Sequence, residues 1–441
     1  MKRLCVLLLL LVSVPGWAED LMSLYRTAQI QDAVYAGAKA QYLAAQEKMA
    51  QARAGLLPSV NFEAGANYLT IDSDYDSQTF PSGSRDFYDY NLGVKVTQPL
   101  YRKVNSLNQD QAKISVRQAE NQLSVAAQDL MTRVAQGYFD VLLARNNLDT
   151  VGAQKRAVAE QLEQAKRNFI VGTATITDSR EAQARFDLVV AQELVAQNDL
   201  EVKLRSLEQI VGKPVSEPVG LRLPISLSPP TPANMEAWVE QAYQSSLQVA
   251  LAQQNLELST QELKKADAGH GPTLDAVGSL NHTYASSSAQ GIGSEIQSLV
   301  VGVRLNIPLY EGGAVNSRVR EAAANQERAR QDLVNVRRSV ALATRQAYLG
   351  VTSGLAQVVA FEQAVASTRL QRESTKLGQE VGVRTAVDVL NADQQLAEAQ
   401  RNLAQSLYGS IVNQLKLKAA VGKLAESDLA DVNRLLKADP Q

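Results

Sequence analysis

Cysteine is almost absent: the chain has one, Cys5. It lies in an N-terminal segment that reads as a secretory leader, so the mature chain can form no disulfide and hold no thiolate-bound metal. Histidine is nearly as scarce, with His270 and His282 at no ligand spacing. No phosphate-binding glycine loop and no nucleophile elbow occurs. Without a convergent constellation neither an enzyme nor a cofactor is expected. No sign of charge dominates: 44 basic and 46 acidic residues give a formal charge of −2, and losing Lys2 and Arg3 with the leader makes it −4. That balance excludes the basic surface a nucleic-acid partner needs. Long apolar runs are also missing. Leu4 to Val14 is too short to span a bilayer as a helix, and no later stretch reaches spanning length. Membrane contact is left to strands or an amphipathic surface.

The leader has a positive start (Lys2, Arg3), the apolar run, and small residues around Gly16-Trp17-Ala18, with cleavage expected after Ala18. Beyond it the chain repeats itself. Val171-Gly172-Thr173-Ala174-Thr175-Ile176-Thr177-Asp178 matches Val381-Gly382-Val383-Arg384-Thr385-Ala386-Val387-Asp388, and Val211-Gly212-Lys213 matches Val421-Gly422-Lys423 at the same offset. Upstream, Pro99-Leu100-Tyr101 matches Pro308-Leu309-Tyr310, and Leu57-Pro58-Ser59 matches Gly271-Pro272-Thr273. Four matches in one order at nearly constant separation indicate duplication. Each half predicts a helix (Leu21 to Gly55; Met235 to Ala268), two extended segments, a long helix, a Val-Gly break and another long helix. Prolines 214, 218, 224, 229, 230 and 232 interrupt helix formation between the halves. The predicted organisation is a signal peptide (1–18), a first repeat (19–213), a Pro-rich linker (214–234), a second repeat (235–423) and a C-terminal tail (424–441).

The extended segments have period two. Val60, Phe62, Ala64, Ala66 and Tyr68 share one face, and Asn61, Glu63, Gly65 and Asn67 the other. Tyr88, Tyr90, Leu92, Val94 and Val96 oppose Asp89, Asn91, Gly93, Lys95 and Thr97. The third segment (Leu274, Ala276, Leu280, Tyr284) is weaker, and the fourth (Leu299, Val301, Val303, Leu305, Ile307) is clear. Each spans about ten to twelve residues, the length of a tilted membrane strand. The connectors Asp72 to Asp86 and Ser286 to Ser294 read as exposed loops, and the two histidines as solvated or barrel-lining. The long helices carry a coiled-coil seam, as in Val116, Ala119, Leu123, Ala126, Leu130, Val134, Tyr138 and Val141. From Val104 to Phe169 the chain can cover on the order of 100 Å at about 1.5 Å per residue, with a break expected near Gly152. Four strands leave two open edges that lipid cannot satisfy, and they are too few to enclose water. Other copies of the chain must complete the sheet, giving a barrel that is apolar outside and wet inside. A periplasmic or surface coiled-coil structural or adhesive protein is the other reading. It explains the helices and leader but not the duplicated strand pairs. Arg384 and Asp388, four residues apart, have the spacing of an exposed intrahelical ion pair. Gly172 and Gly382 have the place of helix C-cap glycines.

The Val-Gly-x-x-Thr-x-x-Asp-Val-Leu motif (Val381 to Leu390), the strand exit Pro308 to Val319 and the closing Leu424 to Leu429 resemble the TolC or outer-membrane efflux protein (outer membrane factor) family, over essentially the whole mature chain. The resemblance implies an α+β membrane protein: a homotrimer with a twelve-stranded β-barrel, four strands per protomer, continued by a long periplasmic α-helical coiled-coil tunnel. It places the linker in an equatorial region, and the protein in the outer membrane, extending into the periplasm. Implied partners are a periplasmic adaptor (membrane fusion) protein, an inner-membrane RND or ABC-type transporter and outer-membrane lipid. The implied task is to conduct drugs, other small molecules or proteins outward in efflux or type I secretion. Arg384 takes the family's gating position, expected to link to Thr177 and Asp178 of the opposite helix pair. Asp388 takes the pore constriction, and adaptors are expected to dock around the tips at Gly172 and Gly382. Two departures stand out: Asn391 replaces a second constriction aspartate, and Gln379 replaces a tyrosine that ties helices.

Overall fold

The computed structural model describes residues 19–436, apart from 77, 78, 80, 81, 217, 223, 224, 226 and the side chain of 386. The leader (1–18), Pro224 of the linker and the end of the tail (437–441) lie outside the described residues. The chain divides into two compact units. One comprises the described residues up to Lys39, within Leu123–Val249 and from Arg337 on; the other comprises those within Ala40–Gln122 and Ala250–Val336.

The second unit holds the strands β1 (Ser59–Ser73), β2 (Gly83–Tyr101), β3 (Thr273–Ala285) and β4 (Ser294–Asn306), in one antiparallel sheet of order β1-β2-β3-β4. The register aligns the predicted faces across all four strands. Phe62 faces Val94, Val94 faces Leu280, and Leu280 faces Leu299. This apolar face is bare: Val301 is 80% exposed, Leu299 73% and Phe62 69%. A contiguous apolar face of this extent fits lipid rather than water. The other face carries Asn61, Glu63, Asn91, Lys95, Asn281 and Arg304. At its helix-side end, Arg102 grips the carboxylate of Asp275 with two bonds of 2.7 and 2.6 Å. The outer edges of β1 and β4 have no partner strand among the described residues.

Two expectations about the sheet need correction. The strands run 13 to 19 residues rather than ten to twelve, and the two longest, β1 and β2, continue into the predicted Asp72 to Asp86 loop. Past Tyr68 the apolar residues change face (Leu69, Ile71, Phe87), so a single-face pattern loses them. His282 is not on the polar, lumen-lining face: it lies opposite Leu92 and Gln297 on the apolar one, 3.6 Å from Glu295.

The helices are α1 (Leu21–Gln31), α2 (Ala33–Ala54), α3 (Lys103–Ile170), α4 (Ile176–Val211), α5 (Met235–Ser245), α6 (Leu247–Asp267), α7 (Ala314–Glu380), α8 (Ala386–Ala420) and α9 (Glu426–Asn433). The core of the first unit joins Leu21, Leu24 and Tyr25 of α1 with Leu130, Val134 and Tyr138 of α3. Leu207 of α4, Ile411 of α8 and Leu429 of α9 complete it. Linker and tail take part: Tyr138 donates to the Val219 carbonyl at 2.7 Å, and Leu221 bridges to Leu436. Burial pushes the Tyr138 hydroxyl well above the ordinary tyrosine range.

Three helix expectations also change. The single first helix is two, broken at Asp32, and its counterpart is broken at Ser246. Neither break has a proline or glycine. Asp32 ends α1 in extended backbone and accepts the Tyr35 amide at 2.7 Å, starting α2. Its carboxylate, 4% exposed, also takes two bonds from Arg133 at 3.0 and 3.1 Å. Gly152 makes no break, and α3 is continuous for 68 residues. Finally, α7 does contain a stretch long and apolar enough to cross a membrane by length and composition. Its apolar content includes seam residues that pack inside the protein, among them Val340, Val351 and Val358.

Candidate functional site

The two helix tips, α3–α4 and α7–α8, are built the same way within the first unit. Phe169 and Asn168 carbonyls accept the amides of Gly172, Thr173 and Ala174 at 2.9 to 3.2 Å. At the second tip, Gln379 and Gly378 carbonyls accept the amides of Gly382, Val383 and Arg384 at 2.9 to 3.1 Å. Both turns close through a left-handed residue, Gly172 at φ 77° and Gly382 at φ 82°. An added Cβ meets no neighbour at either, so backbone conformation and not space requires glycine there.

Each following helix starts with a capping box. Thr175 Oγ1 accepts the Asp178 amide, and Asp178 Oδ2 accepts the Thr175 amide at 2.8 Å. Thr385 and Asp388 repeat this at 3.2 and 2.9 Å. The backbone bond from Thr175 holds the Asp178 carboxyl below the ordinary range. Asp388 is lowered by its Thr385 bonds in the same way, with the Arg384 charge adding to it. Both carboxylates are therefore ionised at neutral pH and have local structural work.

Arg384 is not on a helix face with Asp388. It precedes the N-cap Thr385, since α8 begins at Ala386. Its aliphatic stem lies against Gly378, where an added Cβ would come 2.8 Å from Arg384 Cγ. Among the described residues, Arg384 makes no ion pair or hydrogen bond to Thr177 or Asp178 of its own chain. Thr177 and Asp178 are exposed, as is Asn391.

One link at the tips escaped sequence reasoning. Arg185 on α4 reaches Glu181 at 2.9 Å and Asn391 Oδ1 on α8 at 3.3 Å. Glu181 and Asn391 occupy equivalent repeat positions, and Glu181–Arg185 has helical ion-pair spacing. That spacing shows the arm to Glu181 in the sequence, whereas the arm to Asn391 spans distant positions and leaves no local signal. Beneath it, Val151, Val158, Val189 and Leu390 cluster with Phe186. Further along, Arg372 pairs with Asp393 at 2.8 Å and Lys155 with Glu193 at 2.6 Å. Around the turns apolar side chains are bare: Ile170 is 80% exposed and Val383 76%. Such a surface can dock a partner and can hold polar links between copies.

A family profile described as "Outer membrane efflux protein" matches residues 24–213 and 238–423. The chain is 35% identical over 423 residues to the outer membrane protein TolC of Vibrio cholerae serotype O1, covering 96% of this chain and 94% of that one. It is 29% identical over 449 residues to the proteases secretion protein PrtF of Dickeya chrysanthemi, covering 100% and 96%. The crystal structure of the Campylobacter jejuni CmeC outer membrane channel has the same fold, with TM-score 0.81 at 15% identity, over 96% of this chain and 91% of that one.

Proposed function

Because this chain belongs to the outer membrane efflux protein family, we propose that it is the passive exit duct through which an inner-membrane transporter of the RND or ABC type expels its cargo. The family is one of outer-membrane channels, not of enzymes. Its fold is a homotrimer whose barrel takes four strands from each protomer, with a long helical tunnel. The observation that carries the reading is the sheet: two edges unpaired among the described residues, one face bare and apolar, the other polar. A coiled-coil structural or adhesive protein accounts for the helices and has no use for that face.

Both efflux and type I secretion fit, the former through the family description and the latter through the likeness to a proteases secretion protein. In this reading 19–213 and 235–423 are two unequal repeats joined by the linker 214–234, and 424–441 is the tail. A periplasmic adaptor docks on the exposed tips around Gly172 and Gly382. The gate forms between copies, with Arg384 of one chain reaching Thr177 and Asp178 of the next. Arg384 without an intrachain ion pair among the described residues, and two exposed acceptors, support that. Each link is weak by surface standards, which suits a contact that adaptor binding must break. Asp388 supplies one acidic ring at the constriction, and Asn391 leaves it single.

Single-channel recording in planar bilayers tests the gate: Arg384→Ala should raise conductance, and unchanged conductance refutes the assignment. A deletion strain scored for both antibiotic sensitivity and missing secreted proteins decides the cargo.

A further inference from the structure

The β1–β2 hairpin changes character past the tyrosine level. Tyr68 and Tyr88 stand 5.2 Å apart on the apolar face, and Tyr90 and Tyr284 stand 6.1 Å apart beside them. Paired tyrosines at the loop end of an apolar band mark the membrane–water boundary. Beyond them the former lipid side becomes polar: Thr70 donates to Asp86 at 2.7 Å, and Asp72 faces Ser84. The lumen side becomes apolar, with Leu69, Ile71 and Phe87. Phe87 is only 7% exposed, so something covers it from the lumen.

The β3–β4 connection, residues 286–293, reaches this side of the hairpin. Ser286 still pairs with Tyr88, its amide donating to the Tyr88 carbonyl at 2.9 Å. Then the segment leaves the sheet plane. Arg85 Nη1 on β2 donates to the Ala289 carbonyl at 2.6 Å, and Ser73 Oγ on β1 donates to the same carbonyl at 3.3 Å. Strand β1 is two places from β3, so the segment must cross the face of β2 to reach Ser73. Ser73, Arg85 and Phe87 all belong to the lumen side, which fixes the direction of crossing.

We infer that residues 286–293 form a lid folded over the outer mouth of the barrel, held inward by Arg85 and Ser73, so that the exit carries a size filter of its own, separate from the periplasmic tips. The inference rests on the barrel reading above. Three copies bring three lids toward the axis, and bulky cargo passes only when the hold on Ala289 is released. Small solutes pass between the lids. Arg85 is a positioning residue: it acts through the lid and need not touch cargo.

Since the mature chain has no cysteine, Lys95→Cys on the lumen face gives one reactive thiol. Intact cells are treated from outside with a small membrane-impermeant maleimide or a bulky polyethylene-glycol maleimide. In the Lys95→Cys protein the small reagent should label and the bulky one should not. Adding Arg85→Ala, or replacing 287–291 by a short Gly-Ser link, should raise bulky labelling several-fold, and Arg85→Lys should restore exclusion. Bulky labelling equal to small labelling without those changes overturns the lid. So does exclusion that persists in both the Arg85→Ala and short-link variants while the small reagent still enters. Failure of the small reagent in the Lys95→Cys protein, assembled as a heat-modifiable trimer, overturns instead the assignment of the lumen face.

Discussion

Asp32→Ala should be among the most damaging single changes in the helical unit. The carboxylate is 4% exposed and accepts two bonds from Arg133, at 3.0 and 3.1 Å, and one from the Tyr35 amide at 2.7 Å. Removing one partner of a buried pair costs about 3–5 kcal/mol, mostly because the other charge is stranded. Arg133 keeps Asp129 at 2.6 Å and is 28% exposed, which lowers the expected loss to roughly 2–4 kcal/mol. Asp32→Asn keeps an acceptor for the cap and should cost less. The assay is denaturant unfolding of the detergent-solubilised protein followed by helical circular dichroism. Adding Asp32→Ala to Arg133→Met should cost much less than the two separate losses summed. Additive losses, or an Asp32→Ala loss within about 0.5 kcal/mol of native, refute the reasoning.

The same pair fixes a pH dependence. Burial raises the Asp32 carboxyl, but the Arg133 hydrogen bonds, the Tyr35 amide and the Arg133 charge together lower it more. A folded value below the unfolded one of about 3.9 contributes stability above that pH, lost as pH falls through the folded value. Stability should therefore hold down to about pH 4 and then drop. Asp32→Asn should lack this part of the acid dependence.

Gly382→Val places a β-branched residue at φ 82° and should cost about 1–3 kcal/mol locally, read as faster proteolysis at the second tip while the barrel stays trimeric. Tyr138→Phe leaves the Val219 carbonyl without its 2.7 Å donor and should lower stability by about 1 kcal/mol in the same unfolding assay. On the proposal of a single acidic ring, Asp388→Asn should weaken block by divalent cations in bilayer recordings, and block in the unmodified protein should already be modest. Unchanged block in Asp388→Asn removes Asp388 from the constriction.

Strand faces were legible because one side of each strand meets lipid, and period two survives even in the weak third strand. The turns at Gly172 and Gly382 were legible for a similar reason: a left-handed cap leaves a glycine in the sequence. The breaks at Asp32 and Ser246 were not, since a polar residue bonding locally looks like any other helix-surface residue. Gly152 misled in the opposite sense. A glycine in a helix costs about 1 kcal/mol against alanine, too little to interrupt a seam with Val151 and Val158 buried beside it. Arg384 fell off its expected helix face because the capping box starts α8 two residues later. The Arg185–Asn391 link joins positions 206 apart, and no local pattern reports such a contact.

The central claim is that neighbouring strand residues face lipid and lumen in turn. It is tested most directly by recording and trimer assembly of two variants one residue apart on β2. Lys95→Glu should assemble normally and shift single-channel selectivity toward cations. Val94→Lys should cost about 2–4 kcal/mol on the lipid face and prevent stable trimers from reaching the outer membrane. Normal assembly of Val94→Lys, or an ion selectivity untouched by Lys95→Glu, would contradict the account.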